Sequence, residues 1–573
     1  MRLDRLPISV LKHRYVPGGW DLLAFVLVFA FFIYAAEAAR GLTGSLARLE
    51  ATPISLSPWA LIGYSARTGL RMLIALGFSL LFTFTYATLA AKSRRAEIIL
   101  VPVLDCLQSL PIFSFSITIL FFLQLTPGRV AGAEMAAIFL IFTSQAWNMA
   151  FSFYHSLRSI PDELVEAARN FQLSPWMRFW RLEVPFAMPA LIWNMMMSMS
   201  GGWFFVVVSE AITVGNTKVT LPGVGSYIAL AVEQKNLAAI GWAIAAMFVV
   251  ILIFDQLLFR PLIASADWFR LEQEVGLTAN RPWALTMMRR SQLLSFMAHG
   301  FSALLRAGMT PGRREALRPN REVSAPRWVD RIWHAALIVI GLFAVVRLIH
   351  FVLGEVSYAE VLHVVVLGGF TLLRVAVLIA IASVIWVPIG VWVGMRPQVA
   401  SIVQPIAQFL AAFPAYLLFP LAVSAIVLLK LNPDIWLSPL MVLGTQWYIL
   451  FNVIAGASSV SPDLRYAGQN LGLSGWLWWR RLALPAVFPF YVTGAITASG
   501  GSWNASIVAE VASWGQETLR AHGIGAYIFD ATAAADFQRI VLGTLVLSLF
   551  VVTLNRTFWR PLYERAERKF RLS

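Results

Sequence analysis

The sequence predicts an all-α membrane protein of twelve transmembrane helices, arranged as two tandem six-helix units about a pseudo-twofold axis. Three observations lead there. Of 573 residues, 59% are hydrophobic and 13% charged, with a mean hydropathy of +0.71, far above the apolar share of soluble domains. Apolar runs of about 20 residues recur, each long enough to cross about 30 Å of hydrocarbon as a helix. The second half then repeats the first at an offset of 300.

Taken in order, the spans lie near 20–39, 66–90, 98–124, 134–157, 186–212 and 237–260, then 333–353, 361–394, 398–430, 436–459, 487–512 and 537–558. Arg2, Arg5, Lys12 and Arg14 precede the first span without a small-residue cleavage site, which reads as a retention charge on an uncleaved helix rather than a signal peptide. Basic residues collect at Lys92, Arg94 and Arg95, from Arg158 to Arg181, at Arg396, from Arg465 to Arg481 and in the C-terminal RPLYERAERKFRLS. By the positive-inside rule these loops and both termini are expected to be cytoplasmic. The net charge of +15 is thus a signature of topology and not of nucleic-acid binding.

The first unit covers 1–262 and the second 333–573. Between them, 263–332 is a cytoplasmic linker with eleven Arg. Its TPGRREALRPNREVSAP stretch has the composition of a tether. Leu293, Met297, Phe301, Leu304 and Leu305, flanked by Arg289, Arg290 and Arg306, predict an amphipathic helix in the membrane interface.

The repeat pairs Asn170 with Asn470, Pro185 with Pro485, Pro189 with Pro489, Gly201 with Gly501, Trp203 with Trp503 and Glu210 with Glu510. It continues through GVGSYI at 223–228 against GIGAYI at 523–528 and ends at Arg260-Pro261-Leu262 against Arg560-Pro561-Leu562. Upstream it drifts to 301 (Gln145 with Gln446) and 303 (Pro102 with Pro405, Pro111 with Pro414). An even number of spans per unit gives both copies one orientation, with a pathway expected at the axis between them.

Two polar segments, 158–185 and 460–485, interrupt the apolar pattern at matching places. Ser159-Ile-Pro-Asp162 supplies a capping hydroxyl, a first-turn proline and a first-turn carboxylate, and Ser461-Pro462-Asp463 does the same in the second copy. The first short helix is expected to reach Phe171; a second begins at Ser174-Pro175, with Trp176, Phe179 and Trp180 on one face, and Pro185 stops it. Trp in the headgroup belt and Arg on lipid phosphate explain the composition. They do not explain why the whole pattern recurs, which points to a docking element for a paired soluble partner.

These residues resemble a known family, the membrane permeases of binding-protein-dependent ABC importers of the type I fold. Their cytoplasmic loop carries EAA, three residues, Gly, nine residues, Ile, one residue and Leu-Pro. Here Glu166-Ala167-Ala168 is followed by Gln172, Leu182, Val184 and Pro185; Tyr466-Ala467-Gly468 is followed by Gly472, Leu482, Leu484 and Pro485. The first copy keeps the acidic start and lacks the glycine, and the second does the reverse. The runs from Trp203 through Glu210 to GVGSYI, and from Trp503 through Glu510 to GIGAYI, look most like the nitrate, sulfonate and taurine branch. The resemblance implies a bacterial inner membrane, coupling helices gripped by two ABC ATPase subunits, alternating access, and delivery of a small anion by a periplasmic substrate-binding protein. The chain has no G-x-x-x-x-G-K-[ST] to cradle phosphates. It is therefore expected to be no enzyme and to bind no cofactor, with ATP and Mg held on the ATPases. A secondary transporter driven by an ion gradient is the alternative; its Gly- and Asp-containing loop is replaced here by AKSRRAE. A membrane-embedded enzyme is disfavoured by the lack of any nucleophile or ligand cluster.

Polar residues inside spans are the candidate pathway, because an ionisable group at mid-membrane costs about 2.5 kcal/mol or more. Glu210 and Glu510, near the outer ends of the fifth spans, either line an outer vestibule, reach the aqueous interface or cap a nearby loop helix. Trp203 and the pair Trp503-Asn504 follow Gly-rich stretches that permit a helix break or close helix packing. Gln145, Asn148, Gln446 and Asn452 set amides on the fourth spans, for an oxyanion or for helix linkage, and Trp147 and Tyr448 add aromatic edges beside them. Arg71 and Arg374 lie near span ends, where snorkelling and anion attraction both remain open. The single cysteine, Cys106, is a small core residue, and seven scattered histidines form no metal site.

Overall fold

A computed structural model describes residues 54–109, 117–127, 130–214, 217–266 and 327–570. The expected span over 20–39 and the interfacial helix of the linker lie outside the described residues, as does the side chain of Cys106. The first half comprises α1 (Ala60–Lys92), α2 (Arg94–Ser109), α3 (Ile117–Leu125), α4 (Val130–Arg158), α5 (Asp162–Asn170), α6 (Pro175–Ser209), α7 (Val224–Glu233) and α8 (Leu237–Ile263). The second comprises α9 (Arg327–Leu353), α10 (Tyr358–Gly394), α11 (Pro397–Ala412), α12 (Phe419–Leu428), α13 (Pro433–Val442), α14 (Gln446–Ser458), α15 (Pro462–Asn470), α16 (Gly475–Ala509), α17 (Ile524–Ala533) and α18 (Phe537–Ala566).

Among the described residues, seven helices are long and apolar enough to cross a membrane, and up to nine if each bent pair is one span. They are α1, α4, α6, α8, α10, α16 and α18; the bent pairs are α11 with α12, turned by 78° near Pro414, and α13 with α14, turned by 41°. Each overlaps a span expected from hydropathy. By contact the chain forms two compact units: 159–192 with the residues from 253 belong to one, and 54–158, 193–252 and 327–570 to the other.

The core of the larger unit follows from small and branched residues on helix faces. On α10, α11 and α14, Val393, Ala400, Ala407, Leu450 and Ile454 form one buried cluster. In the first half, Met72, Ala75, Ile141, Met149 and Ala150 of α1 and α4 are buried. Helices come this close in a membrane mainly through the packing of such side chains.

Two expectations need correction. Pro185 does not stop a helix. α6 runs from Pro175 to Ser209, through a π turn at Phe179–Glu183 in which Val184 N–H donates to the Phe179 carbonyl five residues back. The same turn precedes Pro485, where Leu484 N–H reaches Trp479, and Pro261 and Pro561, where Arg260 and Arg560 reach Asp255 and Asn555. A proline ring clashes with the carbonyl four residues back, and widening that turn relieves the clash. The fold is also not purely α. β1 (Ala211–Val214) pairs antiparallel with β2 (Thr217–Thr220), Ala211 opposite Thr220. β3 (Val511–Trp514) pairs likewise with β4 (Glu517–Arg520), Val511 opposite Arg520. In both halves a hairpin therefore links the long fifth helix to a short helix, α7 or α17.

Candidate translocation cavity and coupling loops

Where each hairpin meets its short helix, a polar knot is built on one carboxylate. Glu210 is fully buried. Its Oε1 accepts from Thr68 Oγ1 at 2.6 Å and Arg71 Nη1 at 2.6 Å, and its Oε2 accepts from Gly225 N–H at 2.7 Å. Arg71, 3% exposed, also clamps Glu134 through Nε and Nη2, both at 2.6 Å, and donates to the Pro222 carbonyl at 3.1 Å. Burial favours the neutral acid, whereas the guanidinium and every donor favour the ionised form. The carboxylate thus closes the N-terminus of α7, where orphan N–H groups and the helix dipole both call for an anion.

The second half repeats the knot. Glu510 accepts from Thr371 at 2.7 Å, Arg374 at 3.1 Å, and the Gly525 and Ala526 N–H groups at 2.8 and 3.1 Å. Arg374 reaches Asp434 at 2.9 Å, and Asp434 accepts from His522 N–H at 2.7 Å. The glycines of GVG and GIG have a steric reason. A Cβ on Gly223 or Gly523 would lie 2.2 Å from the carboxylate of Glu210 or Glu510, and one on Gly225 would lie 1.9 Å from the Val207 carbonyl.

A cavity of about 370 Å³ lies among α4, α6, α14, α16 and α18. Of the amides, carboxylates and repeat-paired tryptophans singled out from the sequence, Asn148, Trp503 and Asn504 line it. The others do not. Gln145 is fully buried and donates to the Met72 sulfur at 3.3 Å. Gln446 accepts from Trp386 Nε1 at 3.0 Å, Asn452 donates to the Tyr448 carbonyl at 2.8 Å, and Trp203 is buried away from the cavity. Glu210 and Glu510 stand in the polar knots, the capping arrangement and not a vestibule wall. Arg71 and Arg374 are likewise tied into those knots instead of snorkelling.

Around Trp203 and Trp503 the helices are unbroken, and the glycines serve close approach: a Cβ on Gly202 would lie 2.6 Å from Met72 Cε, and one on Gly501 2.6 Å from Thr445 Cγ2. Trp147 and Tyr448, the aromatic edges read on the fourth spans, line it too, and so do residues with no sequence signal, among them Ser198, Ser200, Thr445 and Trp559. Tyr448 donates to Ser200 Oγ at 3.2 Å, and Ser200 donates to the Ala411 carbonyl. No Asp, Glu, Lys, Arg or His is among the described residues lining it.

The two polar loops share a backbone. α5 ends with Gln172 in the left-handed region at φ 50°, and α15 ends with Gly472 at φ 66°. In the first, Leu173 N–H donates to Ala168 and Gln172 N–H to Arg169; in the second, Leu473 donates to Gly468 and Gly472 to Gln469. This paired bonding closes a helix end and favours glycine at the left-handed position, so Gln172 carries strain that Gly472 does not. Ser461 caps α15 by accepting from Leu464 N–H at 3.3 Å. The first copy lacks this cap, because its N-cap residue is Pro161 and not Ser159. Ser174 does start α6, accepting from Met177 N–H at 3.2 Å, and Trp176, Phe179 and Trp180 pack ring on ring. Ala168 and Gly468 are buried, whereas Glu166 and Tyr466 are exposed. Phe171 and Leu471, 78% and 77% exposed, sit at the matching bend of each loop.

Comparison with known proteins bears on these features. Residues 83–262 and again 386–558 match the binding-protein-dependent transport system inner membrane component family. The chain belongs to this family. The match falls twice, once in each half, as expected of a tandem permease of ABC importers. The chain is 28% identical to the nitrate import permease protein NrtB of Synechocystis sp. over 201 residues, 35% of this chain and 70% of that relative. It is 29% identical over 187 residues to the bicarbonate transport system permease protein CmpB of Synechococcus elongatus, 32% of this chain and 64% of that one. It is 29% identical over 168 residues to the glycine betaine/carnitine transport permease protein GbuB of Listeria monocytogenes, 29% of this chain and 54% of that one.

Proposed function

We propose that the chain is the fused membrane subunit of an ATP-driven importer that carries a small anion of the nitrate, bicarbonate or sulfonate kind by alternating access. Its permease units are 1–262 and 333–573, joined by the cytoplasmic linker 263–332. The observation that carries the anion reading is the cavity wall. It offers hydroxyl, amide and indole groups and, among the described residues, no charged side chain. Such a wall does not repel an anion, and it holds none so tightly that release is slow. The nitrate and bicarbonate relatives agree with it.

Both termini lie in the cytoplasm, and the loops at 158–185 and 460–485 face two ABC ATPases there. Each presents an exposed apolar residue at its bend, Phe171 or Leu471, next to the Glu166-Ala167-Ala168 or Tyr466-Ala467-Gly468 turn, with Gln172 or Gly472 at the helix end and Pro185 or Pro485 behind. ATP and Mg bind to those partners, and a periplasmic binding protein delivers the solute. A second reading, import of a betaine, is favoured by GbuB and by the aromatic wall of Trp147, Phe204, Phe413 and Phe419, whose ring faces suit a quaternary ammonium.

Inverted vesicles containing the chain with its ATPases and binding protein decide among these. ATP-dependent movement of labelled nitrate or bicarbonate is expected; movement of glycine betaine alone selects the second reading, and movement driven by an ion gradient without ATPase defeats both. Deleting 162–183 is expected to abolish ATPase co-purification while the chain still inserts.

A further inference from the structure

Each hairpin reaches the opposite half. β3 lies against α7 of the first half, and β1 lies against α17 of the second. At the tip of the second hairpin, Gly515 and Gln516 form the turn between the paired residues Trp514 and Glu517. Gly515 has a φ of 64°, a conformation that two-residue hairpin turns give to glycine. Its N–H donates to the Val232 carbonyl at 3.0 Å, and that carbonyl also accepts from Lys235 N–H at 3.1 Å where α7 ends. Both lone pairs of the carbonyl are thereby engaged. Lys235, itself left-handed at φ 55°, lays its side chain across the glycine: a Cβ on Gly515 would lie 2.1 Å from Lys235 Cε. A lysine in that backbone region is strained, and the strain falls where the other half touches the end of α7.

We propose that this contact is a latch between the two halves, which joins them on the face away from the polar loops and opens in each transport cycle. The proposal deepens, and rests on, the alternating-access reading. Along α16 the loop at 460–485 lies at one end and β3 at the other, so the hairpin stands a full span away from the loop. Alternating access requires the halves to part on each face in turn. Here they are joined by a backbone hydrogen bond and by one flexible side chain laid over a glycine. Such a joint can break repeatedly: a hydrogen bond part-open to water exchanges for one to water at little net loss, and Lys235, which is exposed, keeps its hydration as it swings away. A buried ion pair in the same place would resist opening, because separating it strands a charge. The glycine then has a reason beyond its turn, since any side chain at 515 would fill the groove in which Lys235 lies and prop the joint apart.

The test uses the full chain, with Cys106→Ser removing its single cysteine, assembled with the ATPases and binding protein in proteoliposomes. Lys235→Cys and Gly515→Cys are introduced together: Lys235 Cγ lies 3.0 Å from the place of a Gly515 Cβ, about the spacing of a sulfur from the opposite Cβ in a disulfide. Copper phenanthroline is expected to close the disulfide within the chain and to stop ATP-driven movement of labelled nitrate or bicarbonate, and dithiothreitol to restore it. A second measurement keeps glycine at the tip. Glu233→Cys and Gln516→Cys, both exposed positions, carry nitroxide labels, and the distance between them is read with nucleotide-free ATPases and again with ATP and vanadate. That distance is expected to lengthen in one of the two states. The latch is overturned if the disulfide-closed chain moves the anion as fast as the reduced chain, or if the label distance is the same in both states; should the first cysteine pair fail to fold, the labels alone decide. A wild-type assembly that moves neither anion under ATP defeats the anion-importer reading instead, and the label distances still decide the latch.

Discussion

Arg71 and Arg374 occupy matching places in the two halves, yet one is sealed and the other is wet. Arg71 sits between Glu210, fully buried, and Glu134, 18% exposed. Arg374 pairs with Glu510 and with Asp434, which is 36% exposed and holds an open His522. A sealed pair has no water to replace a lost partner, so its integrity is all-or-none. An open pair can borrow water. The same bonding pattern therefore does the same positional work, setting a hairpin and a short helix at the end of the fifth span, with different tolerance to damage.

The largest effect tests that contrast directly. Glu210→Gln leaves Arg71 buried with half its counter-charge and is expected to cost about 3–5 kcal/mol, as for other broken buried pairs. Glu510→Gln is expected to cost about half as much, and thermal unfolding of the purified chain in detergent reads both; equal losses would erase the distinction. Next come Gly223→Ala and Gly523→Ala, whose added methyl meets a carboxylate 2.2 Å away in both halves. Both are expected to lose about 1–3 kcal/mol by overpacking, without the asymmetry of the first pair, so a tolerant second half would mean that its knot gives way sterically as well as electrically.

Smaller is the exchange at the loop bends. Gly472→Gln is expected to cost about 1 kcal/mol and Gln172→Gly to recover a similar strain, read as unfolding and as ATPase co-purification. The reverse signs would contradict the left-handed geometry. The smallest is a pH effect. Asn236 caps α8 through its amide, accepting from Ala239 N–H, and Asp536 caps α18, accepting from Arg539 N–H. Burial pushes the Asp536 carboxyl up, but the Arg539 N–H and guanidinium outweigh it and hold it below the usual carboxylate range. Its stabilisation is complete above the ordinary carboxylate range, about pH 4, and fades as pH falls through the lowered value. Asp536→Asn should flatten part of the acid loss of stability, while Asn236→Asp should add to it.

Much of this was legible before any coordinates. Hydropathy located the described spans, because membrane helices announce themselves by length and composition. The offset of 300 paired Glu210 with Glu510 and the glycine motifs with each other. The knots themselves were hidden, since Arg71, Glu134 and Glu210 come from three separate spans and nothing local ties them. Glu134 and Asp434 do match at 300, but in a stretch where neighbouring pairs match at 301 and 303. Pro185 misled because the rule that proline ends a helix omits the π turn. The hairpins escaped notice because strands of four residues carry too little alternation to read. The cavity wall was least visible, being made of Ser, Thr, Tyr and Trp that hydropathy treats as ordinary span residues. Trp559 has no signal beyond its contrast with Phe259.

The π turn before Pro485 gives the second loop a register as well as a shape. In an α-helix each residue turns its successor by about 100°, and Trp479–Ala483 holds one residue more than a regular turn would. Removing a single residue there would restore α geometry and swing Trp476 and Leu477, both exposed, about a quarter of the way around the axis of the span behind them. Length in this short stretch is therefore under tighter constraint than residue identity, and frame-preserving deletions should be tolerated less there than substitutions.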